Sequence, residues 1–264
     1  RGSASGLPRS GQSHPGDDAR CDRAVECGAF AENQRNRRGN IGRVSARRLR
    51  ERIARRAKNV GLDVATPLLD GLEAYFLELA RWNRKINLTA FQIDDDGSDE
   101  AVDRLLIEPV LAARYIPANA KSLMDIGSGG GSPAVPMKLA RPDLSLTMVE
   151  VKVRKSVFLR QVSRLLQLTK TDVENTRFEE LLARPTLHEN LDIVSIRAVR
   201  IDTSTLMGIQ AFLKPGGHLL NFAAGSDPAE PPPPLRLRAV HTLIPENQSR
   251  LVVIQKQRVG GRST

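Results

Sequence analysis

An α/β fold is predicted: a mostly parallel sheet flanked by helices, with a helical extension ahead of it. Three observations predict it. From residue 117 onward, short apolar runs alternate with stretches of helical period, the signature of strand–helix–strand units. The first of these runs leads directly into a glycine-rich turn that opens a helix. Residues 43–116 show helical periodicity instead, without strand-like runs.

The elements follow in order. Val44, Leu49, Ile53, Ala57 and Val60 recur at helical spacing over Val44–Asn59, with arginines between them and Gly61 as a stop. A second helix is expected over Pro67–Asn83, with Leu68, Leu69, Leu72, Tyr75, Phe76 and Leu79 on one face. Thr66 reads as its N-cap and Pro67 as its first helical residue. The acidic stretch Asp94–Glu100 reads as a loop, and Glu100–Tyr115 as a third helix. Strands are expected at Ser122–Ile126, Leu144–Glu150, Asp172–Asn175, Leu191–Ile196 and His218–Ala223. Helices are expected between them at Pro133–Leu139, Val153–Leu168, Phe178–Ala183 and Thr203–Phe212. Lys214-Pro215-Gly216-Gly217 reads as a turn, and the proline-rich residues 225–234 as a loop. Val240–Leu243 and Arg250–Lys256 close the chain as an antiparallel pair.

Charge divides the chain. Of 264 residues, 40 are Lys or Arg and 30 Asp or Glu, a net +10. Residues 1–60 hold 15 bases and 6 acids, a net +9, whereas residues 61–264 are close to neutral at +1. Such a body does not coat nucleic acid by charge alone. Residues 1–42 are rich in Gly, Ser, Arg and Asn with scattered apolar positions, the composition of a disordered basic arm. Its acids, Asp17, Asp18, Asp22, Glu26 and Glu32, argue against a transit peptide. No run approaches the roughly 18 apolar residues of a membrane helix. Cys21 and Cys27 both lie in the arm, so the body has no disulfide framework. A cytoplasmic, monomeric protein without membrane partners is expected.

The densest chemistry is Asp125-Ile126-Gly127-Ser128-Gly129-Gly130-Gly131-Ser132-Pro133. Glycine admits a ligand where a Cβ would collide, and the following helix offers free N–H groups. A dinucleotide fingerprint wants a glycine where Ser132 stands. An acid two residues before alternating Gly127, Gly129 and Gly131 fits an S-adenosylmethionine-binding turn better. Glu150, at the end of the next strand, is placed to accept hydrogen bonds from two ribose hydroxyls. Lys152, Arg154, Lys155, Arg160 and Arg164 begin and follow one helix, where some can meet RNA phosphates. Arg197 ends the fourth strand at the sheet edge that binds ligands. With no Cys in the body, thiolate-dependent methylation of a pyrimidine C5 is excluded. No Asn-Pro-Pro-Tyr motif appears, and His14, His188, His218 and His241 are too scattered for a metal site.

The chain resembles the ribosomal RNA small-subunit methyltransferase G family, also called glucose-inhibited division protein B. Trp82-Asn83-Arg84-Lys85-Ile86-Asn87-Leu88-Thr89-Ala90, Asp125 to Pro136, Arg154 to Arg160, Arg177-Phe178-Glu179-Glu180 and Ser195-Ile196-Arg197-Ala198 carry the likeness, over roughly residues 65–256. The resemblance implies a Rossmann-like class I methyltransferase sheet over residues 117–258, mostly parallel with an antiparallel C-terminal strand. It implies methyl transfer from S-adenosylmethionine to N7 of a guanine in 16S rRNA, within the small subunit or its precursor. Asp125, Gly127, Gly129, Gly131, Ser132 and Glu150 would then bind cofactor, Phe178 and Glu179 would approach its adenine, and Arg197 would sit near the transferred methyl. Guanine N7 already presents a lone pair, so no catalytic base is named. Four positions depart from the family pattern: Arg104 and Ile107 replace a His and an Asp, Ala224 in Ala224-Gly225 stands for the Lys of a Lys-Gly pair, and Ser132 replaces a usual apolar residue. The alternative is a cofactor-binding or ribosome-assembly module that keeps the fold without catalysis.

Overall fold

The computed structural model describes residues 46–258, apart from 92, 94–97, 200 and 225–227. The expected arm, residues 1–42, lies outside the described residues, as does most of the acidic stretch and the start of the proline-rich loop.

The first helix, α1, spans 46–59, and Leu49, Ile53 and Ala57 form its buried stripe. Four of its arginines, Arg50, Arg52, Arg55 and Arg56, are engaged with acids beyond the helix, and Arg47 with Glu51 within it. Arg50 Nη1 lies 2.5 Å from Asp70 and 2.9 Å from Glu73, Arg55 bonds Asp99 at 2.7 Å, and Arg56 holds the buried Asp103 at 2.5 and 2.8 Å. These charges dock α1 onto the body. Helix α2 is Thr66–Asn83, with Leu72, Tyr75, Phe76 and Leu79 buried. Its N-cap is Ala65, without a side-chain bond, so Thr66 is the first helical residue rather than the cap. A short helix α3 (Asp99–Val102) passes through one π-type turn (Asp103–Ile107) into α4 (Glu108–Ala112). Asp99 and Glu100 are therefore helical, capped by the Ser98 hydroxyl.

The remaining elements alternate: β1 (Ser122–Ile126), α5 (Ala134–Ala140), β2 (Ser145–Val149), α6 (Val153–Leu165), β3 (Thr171–Glu174), α7 (Phe178–Leu181), β4 (Leu191–Arg197), α8 (Thr203–Phe212), β5 (Leu213–Ala224), β6 (Leu235–Ile244) and β7 (Ser249–Lys256). They form one seven-stranded sheet in the order β3-β2-β1-β4-β5-β7-β6. Strands β1 to β5 are parallel, and β7 pairs antiparallel with β5 and β6. Strand alternation divides the core. Leu123, Leu146, Ile193 and Leu220 face α1, α2, α5 and α6, while Met124, Val194, Leu219 and Val252 face α7 and α8. The N-terminal helices thus share the sheet's own core. Gly71 of α2 permits this closeness, since a Cβ there would lie 2.8 Å from Leu139 of α5. Among the described residues no helix is long and apolar enough to cross a membrane.

Two expectations at the C-terminal half change. Lys214–Gly217 is not a separate turn: β5 runs through it as an irregular bulge, Leu213 pairing with Leu191 and His218 with Ile193. Gly216, at φ +91°, supplies the left-handed residue this requires. Strand β6 begins at Leu235, five residues before the expected Val240, because β7 is long enough to pair with all of it.

Candidate functional site

Strand order reverses at β1, with β2 and β3 on one side and β4 and β5 on the other. Ligands in open α/β sheets bind outside the carboxyl ends of strands at such a point. A cavity of about 680 Å³ lies there. Its wall combines the turn after β1, Glu150 after β2, Arg197 to Val199 at the end of β4, and Phe222 and Ala223 of β5. Tyr75 and Leu79 of α2, the segment 88–91, and Arg104, Leu105 and Glu108 close the other side.

The glycines have different duties. Gly127, Gly129 and Gly131 all have positive φ, at +74°, +54° and +88°. A Cβ on Gly129 would meet nothing closer than 3.7 Å and would project into the open cavity. A Cβ on Gly131 would lie 3.0 Å from Val135 and 3.3 Å from Leu159, so this glycine serves helix–sheet packing. The turn is held from below. Gly127 and Ser128 donate to Val149 O at 2.9 and 3.0 Å, and the buried Tyr75 hydroxyl donates to Gly130 O at 2.7 Å. Glu150 ties it from the side, its carboxylate accepting from Gly129 N at 2.9 Å and Lys152 N at 2.7 Å.

Asp125 stands behind the wall rather than on it. Its carboxylate is buried, accepts the Ser195 hydroxyl at 2.6 Å through Oδ1, and has no hydrogen-bond partner at Oδ2. Burial pushes its pKa up to about 6, against the stabilising Ser195 bond. Arg197 is on the wall and fixed from three sides. Its guanidinium donates to Arg104 O, to Ser132 Oγ at 3.2 Å and to Glu108 Oε2 at 2.9 Å, and lies 4.3 Å over the Phe222 ring. Burial lowers its pKa to about 10 while Glu108 opposes the shift. The same burial raises the pKa of Glu108, opposed by Arg197 and Arg104.

The π-type turn explains how Arg197 finds a backbone partner. Glu108 N bonds to Asp103 O, one residue beyond the α-helical acceptor, which leaves Arg104 O without that donor. The residue in line for Arg104 O in the π register, and for Leu105 O in the α register, is Pro109, which has no N–H. Arg197 takes the first carbonyl, and the Ser132 hydroxyl takes the second at 2.9 Å. A helix interruption is thereby tied to the glycine turn and to β4.

Of the residues named from sequence, Gly127, Gly129, Ser132, Glu150 and Arg197 meet on one cavity wall. Gly131 and Asp125 support the turn from behind. Phe178 and Glu179 are not on the wall: Glu179 is exposed on α7, and Phe178 packs beside Gly208 of α8. Lys152 and Lys155, expected among the RNA-facing cations, line the cavity as well, whereas Tyr75, Glu108 and Phe222 are not marked as site residues by the sequence, because nothing in their local sequence separates them from core or surface residues. At the departures, Arg104 and Ser132 line the cavity, Ile107 is buried, and Ala224 ends β5. Trp82 and Asn83 have structural duties. The indole donates to Glu78 at 2.7 Å, and the Asn83 side chain accepts from Leu88 N and Thr89 N, shaping the segment that lines the cavity. Among the described residues no cluster suited to a metal ion occurs.

The sequence profile of a family described as rRNA small subunit methyltransferase G matches residues 69–231. A protein of Xanthomonas axonopodis pv. citri named Ribosomal RNA small subunit methyltransferase G is 35% identical over 211 residues, covering 76% of this chain and 91% of that one. Its namesake in Halorhodospira halophila is 33% identical over 171 residues, covering 65% and 77%. That of Syntrophotalea carbinolica is 30% identical over 183 residues, covering 69% and 80%.

Proposed function

This chain belongs to the rRNA small subunit methyltransferase G family, and on that premise we propose that it transfers a methyl group from S-adenosylmethionine to N7 of a guanine in small-subunit rRNA. The chain is an rRNA methyltransferase by family. The donor, the target atom and the site are our reading of the cavity. One observation carries it: the whole cavity wall, from Tyr75 to Ala223, falls within the segment that matches the family.

The residues fit such a donor. The open space at Gly129 is where a side chain would otherwise stand. A carboxylate offers about four acceptor positions, and Glu150 uses two of them on backbone N–H groups, which leaves capacity for ribose hydroxyls. Leu79, Leu88, Phe91 and Phe222 supply apolar wall for a heterocycle. When bound, S-adenosylmethionine supplies a methyl group carried on a positively charged sulfur. Guanine N7 is a nucleophile without deprotonation, so the chain's task is to fix geometry and exclude water. Arg197 suits that task, being a cation whose direction is set by Glu108, Ser132, a carbonyl and an aromatic ring. Proton transfer by a wall residue is not part of the step.

The test is direct. Purified protein is incubated with methyl-labelled S-adenosylmethionine and small subunits from cells lacking the modification, and the labelled base is mapped. Label at a guanine N7 is expected. Measurable donor binding with no label in rRNA would instead favour a cofactor-binding module without catalysis.

A further inference from the structure

Outside the cavity, a groove of about 710 Å³ opens along the segment after α2. It is continuous with the cavity mouth: Leu88, Thr89, Ala90, Phe91 and Lys155 line both. Arg84 and the exposed Asn87 complete its outer rim. Beside it, a smaller recess of about 420 Å³ lies between the end of α2 and the start of α6. Trp82, Ile86, Val153 and Val157 give that recess an apolar lining, while Lys85, Arg154 and Arg81, the last paired with Glu78, supply its charge. Val153 and Val157 are 65% and 46% exposed.

Folding does not account for this arrangement. Lys85, Lys152, Arg154 and Lys155 form no side-chain ion pair or hydrogen bond among the described residues. Three of them sit at the start of α6, whose first turn has no acid. Cations there oppose the helix dipole. On α1, by contrast, Arg50, Arg55 and Arg56 are paired with acids. Uncompensated cations beside exposed apolar lining match a polyanion that also presents flat apolar faces. Single-stranded RNA is such a ligand, since its phosphates and its unstacked bases are both available. A duplex offers its phosphates but keeps its bases stacked, and the two recesses would have nothing to receive.

We propose that the groove and recess formed by the end of α2, residues 84–91 and the start of α6 dock the single-stranded rRNA flanking the base that enters the cavity. Phosphates meet Lys85, Lys152, Arg154 and Lys155, and a neighbouring base rests on Ile86, Val153 and Val157. This rests on the reading of the chain as an rRNA methyltransferase, and it assigns RNA binding to the nearly neutral body rather than to the basic N-terminal sixty residues.

The experiment measures binding of a 12-nucleotide oligouridine and of a 12-base-pair RNA duplex across a salt series, with donor affinity followed by calorimetry. Lys85→Ala combined with Arg154→Ala should weaken oligouridine binding at least tenfold. It should also flatten the log–log salt slope by about 1.4, at about 0.7 per phosphate contact on a single strand. Val157→Ser should weaken oligouridine severalfold with the slope unchanged and leave duplex binding alone. Donor affinity should be unaffected in both. Independently of any variant, saturating oligouridine should shield Lys85 and Lys152 of the wild-type protein from acetylation. Lys121 and Lys170, at the amino edge of the sheet, should react as before. Unchanged affinity and slope, or unshielded Lys85 and Lys152, would overturn the proposal even where the wild type methylates rRNA. Absence of methyl transfer by the wild type would instead defeat the reading on which it rests.

Discussion

Replacing Glu108 by Gln probes the charge balance of the cavity wall. Glu108 is 1% exposed and holds Arg197 at 2.9 Å and Arg104 at 3.3 Å, the arginines being 18% and 27% exposed. Gln keeps the shape and one acceptor, but it removes the only acid that Arg197 bonds among the described residues and turns an amide N–H₂ toward a guanidinium. Breaking a buried pair by losing one partner costs about 3–5 kcal/mol. The residual exposure of both arginines lets water repair part of that, so about 3 kcal/mol is expected. For a domain of this size each kcal/mol corresponds to about 2–4 °C, which puts the fall in Tm near 6–12 °C by circular dichroism. Adding Arg197→Met should recover part of the loss, because no unpaired charge is then left in the wall. A Glu108→Gln protein within about 0.5 kcal/mol of wild type would mean that Glu108 is already protonated, and the ion-pair account of the wall would fall. Equal losses from the double and single variants would likewise show that the charge on Arg197 is not what Glu108 supports.

Asp125 gives a pH signature. Its folded pKa of about 6 lies above the ordinary carboxylate value, so between about pH 4 and 6 the folded state binds a proton that the unfolded state has released. Its contribution to stability therefore falls as pH rises through that window. The stability of wild type minus that of Asp125→Asn should decline from about pH 4 to 6 and then level off; a flat difference in denaturant titrations would contradict the burial argument. The two cavity glycines should separate function from packing. Gly129→Ala should weaken donor binding by calorimetry at least tenfold, whereas Gly131→Ala, crowded by Val135 and Leu159, should chiefly lower Tm, by about 1–3 kcal/mol equivalent; the reverse pattern would invalidate the assignment. Ser132→Ala should cost about 1–2 kcal/mol by orphaning Leu105 O. Pro109→Ala added to it should restore part of that, because residue 109 then has an N–H in α register with Leu105 O; no recovery would show that the carbonyl finds another donor.

Strands β1, β2 and β4 and the glycine turn were legible because a buried parallel strand needs a nearly unbroken apolar run, and a ligand turn needs glycine where the backbone must approach closely. Glu150 and Arg197 were legible for a related reason, as charged residues at the ends of such runs. What was hidden is the far wall. Glu108 and Arg104 lie in a segment that reads as an ordinary amphipathic helix, and neither the π-type turn nor the ion pair has a local sequence signature. Pro109 was the available clue: inside a helix it removes an N–H, and the carbonyls it cannot serve must find partners elsewhere. Those partners, Arg197 and Ser132, lie 88 and 23 residues further along the chain, a separation that local periodicity cannot bridge. The charge of α1 likewise reads differently once the helices are packed. Arginines on α1 look like a nucleic-acid face until their acids are found on α2 and α3, and both sides of those pairs are visible only once the helices are packed. Among the described residues, Lys85, Lys152, Arg154 and Lys155 have no such partner, and they lie on the nearly neutral body, where a net charge near zero conceals them. Charge count locates a polyanion site poorly, and the location of unpaired charge beside an apolar recess does so better.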